Sequence, residues 1–177
     1  MSGTLKRDET RLSRLVESLA KLMARSQPPP RVRNERVPQA SGIDSGFLEL
    51  KGRLRLPVRG ELANRFGSPR ADGGLVWKGL FIAARPGEEV RAVADGRVVF
   101  ADWLRGFGNL LIVDHGDAYM SLYGNNESLY KRVGDSIRGG EPVAAVGASG
   151  GNTDSGLYFE LRHQGRPLDP LDWVDIR

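Results

Sequence analysis

Val90-Arg91-Ala92-Val93-Ala94-Asp95-Gly96-Arg97-Val98-Val99-Phe100 decides the fold class: two short runs rich in β-branched residues meet at Asp-Gly, a dipeptide suited to closing a tight hairpin. Working outward, further short apolar runs follow, each bounded by turn residues. Asn109 to Asp114 ends at His115-Gly116, Tyr119 to Tyr123 is a strand candidate, and Val133 to Gly147 reads as strand, glycine turn, strand. Leu157 to Arg162 is a last strand, and Asp169-Pro170 and Trp173 close the chain with a turn and an aromatic anchor. No alternation of strands with long helical patterns is visible. The spacing predicts a mainly β domain, a compact antiparallel β-sandwich or barrel-like sheet, over residues 46–177.

Upstream the pattern changes period. Between Lys6 and Arg25, Leu12, Leu15, Val16, Leu19, Leu22 and Met23 step by three and four, which predicts an amphipathic helix within residues 1–25. It suits either the end of a coiled coil or a helix docked on the domain. Pro28-Pro29-Pro30 stops it, and residues 26–45 read as a linker.

Composition narrows the function classes. With 40% hydrophobic and 27% charged residues the chain reads as globular, and no run approaches the ~18 apolar residues of a membrane span. The start, Met1 to Glu9, lacks the apolar centre of a secretory signal. Zero cysteines exclude disulfides and thiolate zinc sites. The net charge of +4 sits in the appendage: residues 1–45 carry nine Lys/Arg against five Asp/Glu, whereas 46–177 carry seventeen of each. No basic cluster is evident on the globular part, which argues against nucleic-acid binding.

Several landmarks, jointly and in this order, resemble the LytM (lysostaphin-type) zinc metallopeptidase domain: Phe66-Gly67-Ser68-Pro69-Arg70, Trp77-Lys78-Gly79-Leu80-Phe81, Val93 to Val98, Gly106-Phe107-Gly108-Asn109, Val113-Asp114-His115-Gly116, Val146 to Gly150 and Leu157 to Arg162. In active members a His and an Asp of H-x-G-x-D and the second His of a late H-x-H hold zinc, while two further histidines serve the catalytic water. The resemblance places these positions at Trp77 and Phe81, at Gly156 and Tyr158, and at Asn125, so it implies a catalytically dead domain. Elementary metal chemistry agrees. A catalytic zinc needs three protein ligands and an open position for water, and the only histidines, His115 and His163, stand far apart. Without the metal no hydroxide forms at neutral pH. A lone histidine in an Asp-His-Gly turn reads as structural.

Aromatic replacement turns a hydrated cleft into an apolar trough, here expected to be lined by Phe81, Phe107, Leu110, Tyr123 and Tyr158 with Lys78 and Arg162 at its rims. Tyr and Arg are favoured at interface hot spots. Ala101 to Gly106, Met120 to Asn126 and Ser155 to Arg162 are most similar to the EnvC-type murein amidase activators of Gram-negative bacteria. That resemblance implies a periplasmic, non-catalytic partner of zinc-dependent N-acetylmuramoyl-L-alanine amidases in septal cell separation. It also implies recruitment by the FtsEX complex through a coiled coil mostly absent here, no cofactor, and a regulatory role for the N-terminal helix as a shield over the trough. Two rivals remain at this point. One is a peptidoglycan-binding module using the same trough; the other is a peptidase with unrecognised ligands such as Asp72, Asp154 or Glu160.

Overall fold

The computed structural model describes residues 10–21, 47–67, 78–150 and 154–175. The expected linker, Trp77 and Asp72 lie outside these, as do Leu22 and Met23 of the apolar stripe.

Ten strands form one antiparallel sheet: β1 (Glu61–Asn64), β2 (Leu80–Ala83), β3 (Glu89–Arg91), β4 (Gly96–Leu104), β5 (Gly108–Gly116), β6 (Tyr119–Leu129), β7 (Ser136–Ile137), β8 (Pro142–Val146), β9 (Gly156–His163) and β10 (Arg166–Leu168). The main order is β1-β2-β9-β6-β5-β4-β7, and the sheet does not close into a barrel. Its branch point is β6. Residues 119–124 pair with β9, then the strand shifts register and residues 126–129 pair with β8, which in turn carries β3. The turn is made at Asn125, whose φ of 70° is left-handed. This bend brings β3 and β8 over one face of the main sheet. There Val90, Val143 and Val146 share a core with Leu80, Ile82, Leu111, Val113, Leu157, Phe159 and Leu161. The expected mainly β, antiparallel class holds.

One expected hairpin is corrected. Asp95-Gly96 does not join paired strands, because β3 pairs with β8 while β4 pairs with β5 and β7. Gly96 is there for a different reason: a Cβ would sit 2.4 Å from the Asp114 carbonyl oxygen and 2.6 Å from Val113 Cγ1. β7, the turn at Gly139-Gly140 and β8 follow one another as the sequence predicts, though the two strands pair with different neighbours.

Residues 10–21 form a helix, α1, within the segment whose apolar stripe predicted one. Leu12 and Val16 are wholly buried, Leu15, Leu19 and Ala20 partly so. The C-terminal end is pinned by aromatic stacking: Phe47 lies against Trp173 with ring centroids 5.1 Å apart, and Tyr119 against His163 at 4.1 Å. Asp169 caps the turn at Pro170–Asp172 by accepting from the Leu171 amide.

Candidate functional site

Strand alternation sorts the central strands into two faces. On the face away from β3 and β8, Phe81 of β2, Leu110 and Ile112 of β5, Met120 and Leu122 of β6 and Tyr158 of β9 form a second apolar cluster with Phe107. Leu12 and Val16 of α1 complete it. The helix therefore packs on this face.

Four of the expected trough residues, Phe81, Phe107, Leu110 and Tyr158, come together here. Phe81 and Tyr158 are register partners across β2 and β9, and the Phe107 and Tyr158 rings lie 5.7 Å apart, tilted by 50°. Tyr123 does not join them. It follows Leu122 by one position, so the period of two turns its ring into the opposite core beside Phe159, where its hydroxyl accepts from the Val93 amide. Burial raises its pKa to about 12. Lys78 is half-buried just before β2. Arg162 is not an open rim either: it is 2% exposed, and its Nε donates to Glu160 Oε1 at 2.6 Å and its Nη1 to the Gly165 carbonyl at 3.0 Å. Glu160 has no exposed surface and takes the Tyr158 hydroxyl on its other oxygen. Tyr158, Glu160 and Arg162, two residues apart along β9, thus make one buried hydrogen-bonded row on the face of the cluster.

Sequence reading missed Ile112, Met120 and Leu122 as members of this face. The signal was present as i, i+2 spacing from Leu110 and from Met120, within runs that are apolar on both faces. Gly156 and Asn125 are explained by the same cluster. A Cβ on Gly156 would lie 2.7 Å from Cε2 and Cζ of Phe81 and 2.6 Å from the Ile82 carbonyl oxygen, so the Phe81 ring occupies the space a side chain would need. Asn125, 1% exposed, donates from Nδ2 to the carbonyls of Gly147 (3.0 Å) and Gly156 (2.9 Å) and accepts the Gly150 amide on Oδ1 at 2.7 Å. Its polar atoms hold backbone.

Among the described residues, the donors near Tyr158 do not fit a zinc ion: the Glu160 carboxylate is held by Tyr158 and Arg162, and the Asn125 amide holds backbone. Among the described residues no three His, Cys, Asp or Glu side chains come together. His115 lies on the other face: its Nδ1 donates to the Asp95 carbonyl at 2.7 Å, its Nε2 meets Ser121 Oγ at 2.7 Å, and Phe47 stacks on the ring. Desolvation lowers its pKa to about 4, against a smaller opposing pull from Asp95.

The frame carrying this face is a known one: the family model described as Peptidase family M23 matches residues 75–170. The chain belongs to peptidase family M23. Within it, the chain is 48% identical over 124 residues to the murein hydrolase activator EnvC of Escherichia coli, covering 70% of this chain and 29% of that one. It is 37% identical over 124 residues to the murein hydrolase activator NlpD of the same organism, covering 70% and 31%. A zinc-containing peptidase from Vibrio cholerae shares the fold, with a TM-score of 0.64 and 24% identity over 69% of this chain and 40% of that one. The chain spans less than a third of the length of the two named activators.

Proposed function

We propose that this chain is a non-catalytic activator that binds periplasmic, zinc-dependent N-acetylmuramoyl-L-alanine amidases through the Phe81–Tyr158 face and relieves their autoinhibition during septal peptidoglycan splitting. Trp77, Phe81, Asn125, Gly156 and Tyr158 stand, in this reading, where the family's peptidases place metal ligands and catalytic histidines. The observation that carries the proposal is the apolar cluster on this face, covered by a helix of the chain's own. An exposed face of that kind is an interface waiting for a cover, and α1 supplies one in the resting molecule. The amidase contacts the face once α1 has moved aside, with Phe81 and Tyr158 as anchors. EnvC and NlpD, named for activating murein hydrolases, support the direction of the reading. Recruitment by FtsEX through a coiled coil preceding α1 belongs to the same proposal.

The test is dye release from labelled murein by a candidate amidase, titrated with the full chain. Tyr158→Ala should lose at least 2 kcal/mol of binding, roughly thirtyfold in affinity. Val16→Asp, which puts a charge into the contact between α1 and the face, should raise stimulation at a given concentration. Full stimulation by folded Tyr158→Ala refutes the proposed face. Unchanged stimulation by Val16→Asp refutes the shield.

A further inference from the structure

On the side of the sheet away from α1, Val93-Ala94-Asp95 carries the chain from β3, in the layer of β3 and β8, to β4 in the main sheet. Both ends of this crossover are tied by side chains of β5 and β6. The Val93 amide donates to the Tyr123 hydroxyl at 3.1 Å, and the Tyr123 and Ser121 hydroxyls lie 2.8 Å apart. Ser121 Oγ is 2.7 Å from His115 Nε2, and His115 Nδ1 is 2.7 Å from the Asp95 carbonyl oxygen. Ser121 and Tyr123 have no exposed surface, and among the described residues the three side chains make no other hydrogen bond. The two ends fix the direction of the whole series, because an amide N–H can only donate and a carbonyl can only accept. Val93 therefore donates to Tyr123, Tyr123 to Ser121, Ser121 to His115 Nε2, and His115 Nδ1–H to Asp95. Each hydroxyl gives one hydrogen and takes one, and the ring is neutral with its proton on Nδ1.

A proton added at Nε2 reverses the middle of the series. Nε2–H then donates to Ser121 and Ser121 to Tyr123, so the phenolic hydrogen meets the Val93 amide with no acceptor left. An unpaired donor in a buried site is strongly unfavourable. The conflict falls at the Val93 end, while the Asp95 end keeps its bond. Next to the end that gives, the Ala92 amide donates to the Glu141 carbonyl at 3.0 Å and the Gly140 amide to the Ala92 carbonyl at 2.8 Å, which ties the turn before β8 to the crossover. We propose that His115, Ser121 and Tyr123 form a proton-operated latch: the neutral ring clamps the crossover at both ends, and protonation frees the Val93 end and loosens β3 and β8 from the main sheet. The charged group facing His115 from the crossover is Asp95, whose carboxylate accepts the Gly139 amide; Phe47 lays its ring on the imidazole, and β6 offers the two hydroxyls. Beside it in β5, Asp114 accepts the Gly116 amide, with Arg97 of β4 and Asp117 of the following turn nearby. Burial disfavours the charged ring and outweighs the pull of Asp95, setting the pKa at about 4. The latch is therefore shut at neutral pH and opens as pH falls toward that value. It lies across the sheet from Phe81 and Tyr158 and stands whether or not that face binds an amidase.

Nuclear magnetic resonance of the nitrogen-labelled full chain, followed from pH 7 to pH 3.5, tests the latch. At pH 7 His115 should carry its proton on Nδ1 and none on Nε2. On acidification the amides of Ala92, Val93, Gly140 and Glu141 should shift with the midpoint of the His115 ring, while those of β2 and β9 stay. Exchange of the Val93 amide should rise about tenfold or more beyond the intrinsic effect of pH. Ser121→Ala cuts the series in its middle: His115 still titrates, Val93 keeps Tyr123 as acceptor at every pH, and its shift stops following the ring. Tyr123→Phe removes the acceptor itself, so Val93 should exchange faster already at pH 7 and be blind to the titration. A proton on Nε2 at pH 7, a Val93 amide indifferent to the titration in wild type, or an undiminished response in Ser121→Ala overturns the latch. So does a single transition in which β2, β3, β8 and β9 lose their signals together, because the proton then unfolds the domain instead of opening one layer.

Discussion

Glu160 has no exposed surface, and its two oxygens are occupied by the Tyr158 hydroxyl and by Arg162 Nε. Removing one member of such a buried pair strands the other charge, at a cost of about 3–5 kcal/mol. Arg162→Ala should therefore lower the urea midpoint, and Glu160→Gln/Arg162→Ala should recover part of the loss because the amide is neutral. Lost amidase stimulation in Arg162→Ala means an interface defect only where the unfolding curve shows a folded protein. Gly156 has the opposite problem, too little room. A methyl there meets the Ile82 carbonyl oxygen at 2.6 Å and the Phe81 ring at 2.7 Å, and Gly156→Ala should destabilise by about 1–3 kcal/mol, with Phe81→Leu in the same chain recovering only the part due to the ring. His115 sets a pH dependence. Its folded pKa of about 4 lies below the ordinary 6.5 because burial favours the neutral ring. That stability is fully present above pH 6.5 and is lost as pH falls from 6.5 toward 4, where the unfolded chain takes up the proton first; the total is about 3 kcal/mol. Urea midpoints at pH 7 and pH 4.5 should differ more for wild type than for His115→Gln.

The helix α1 is the element on which regulation turns in the proposed function, and its energetics differ from those of the strands. It holds the domain through Leu12 and Val16 with partial help from Leu15, Leu19 and Ala20, whereas β5, β6 and β9 are hydrogen-bonded on both sides and buried on both faces. A segment held by one apolar stripe opens locally at a free energy below that of global unfolding. Hydrogen exchange should show residues 12–20 exchanging well before the β5, β6 and β9 amides, with Val16→Asp abolishing the helical protection and leaving the strands unchanged. Equal protection of helix and strands would make α1 part of the core rather than a cover. The helix was legible because six apolar residues keep the 3.6 period, and the strands because glycine and aspartate punctuate apolar runs. Which strands pair was not: Asp95-Gly96 carries the composition of a hairpin, while the glycine answers to the approach of β5. Tyr123 was misplaced for a related reason. In a run buried on both faces, as from Tyr119 to Asn126, hydrophobicity gives no alternation, so the face of any one side chain depends on register set by distant strands. Phe81 and Tyr158 were legible as neighbours only through the family's motif spacing.

At the scale of the whole molecule, the main sheet has both faces covered, by β3 and β8 on one side and by α1 on the other. The M23 frame brings β2, β6 and β9 side by side, the arrangement in which side chains from several strands can converge on one point. In this chain those strands deliver Phe81, Asn125, Gly156 and Tyr158 to that neighbourhood, and each is committed: two rings to an apolar cluster, an amide to three backbone groups, and a glycine to the space the Phe81 ring fills. If these positions are, as proposed, the family's metal and catalytic positions, a single substitution meets packing as well as chemistry: a histidine at 156 runs into the Ile82 carbonyl oxygen and the Phe81 ring, and an aspartate at 81 is a lone carboxylate at a buried position, costing several kcal/mol without a partner. The expected outcome is that the full chain, dialysed against zinc and then buffer, retains less than one equivalent of metal and releases no dye from murein alone, and that Phe81→Asp gains neither property while losing stability. Release of dye by the isolated chain, abolished by a chelator and restored by zinc, would show that ligands from elsewhere in the chain complete a site, and would return the molecule to the peptidases whose sheet it shares.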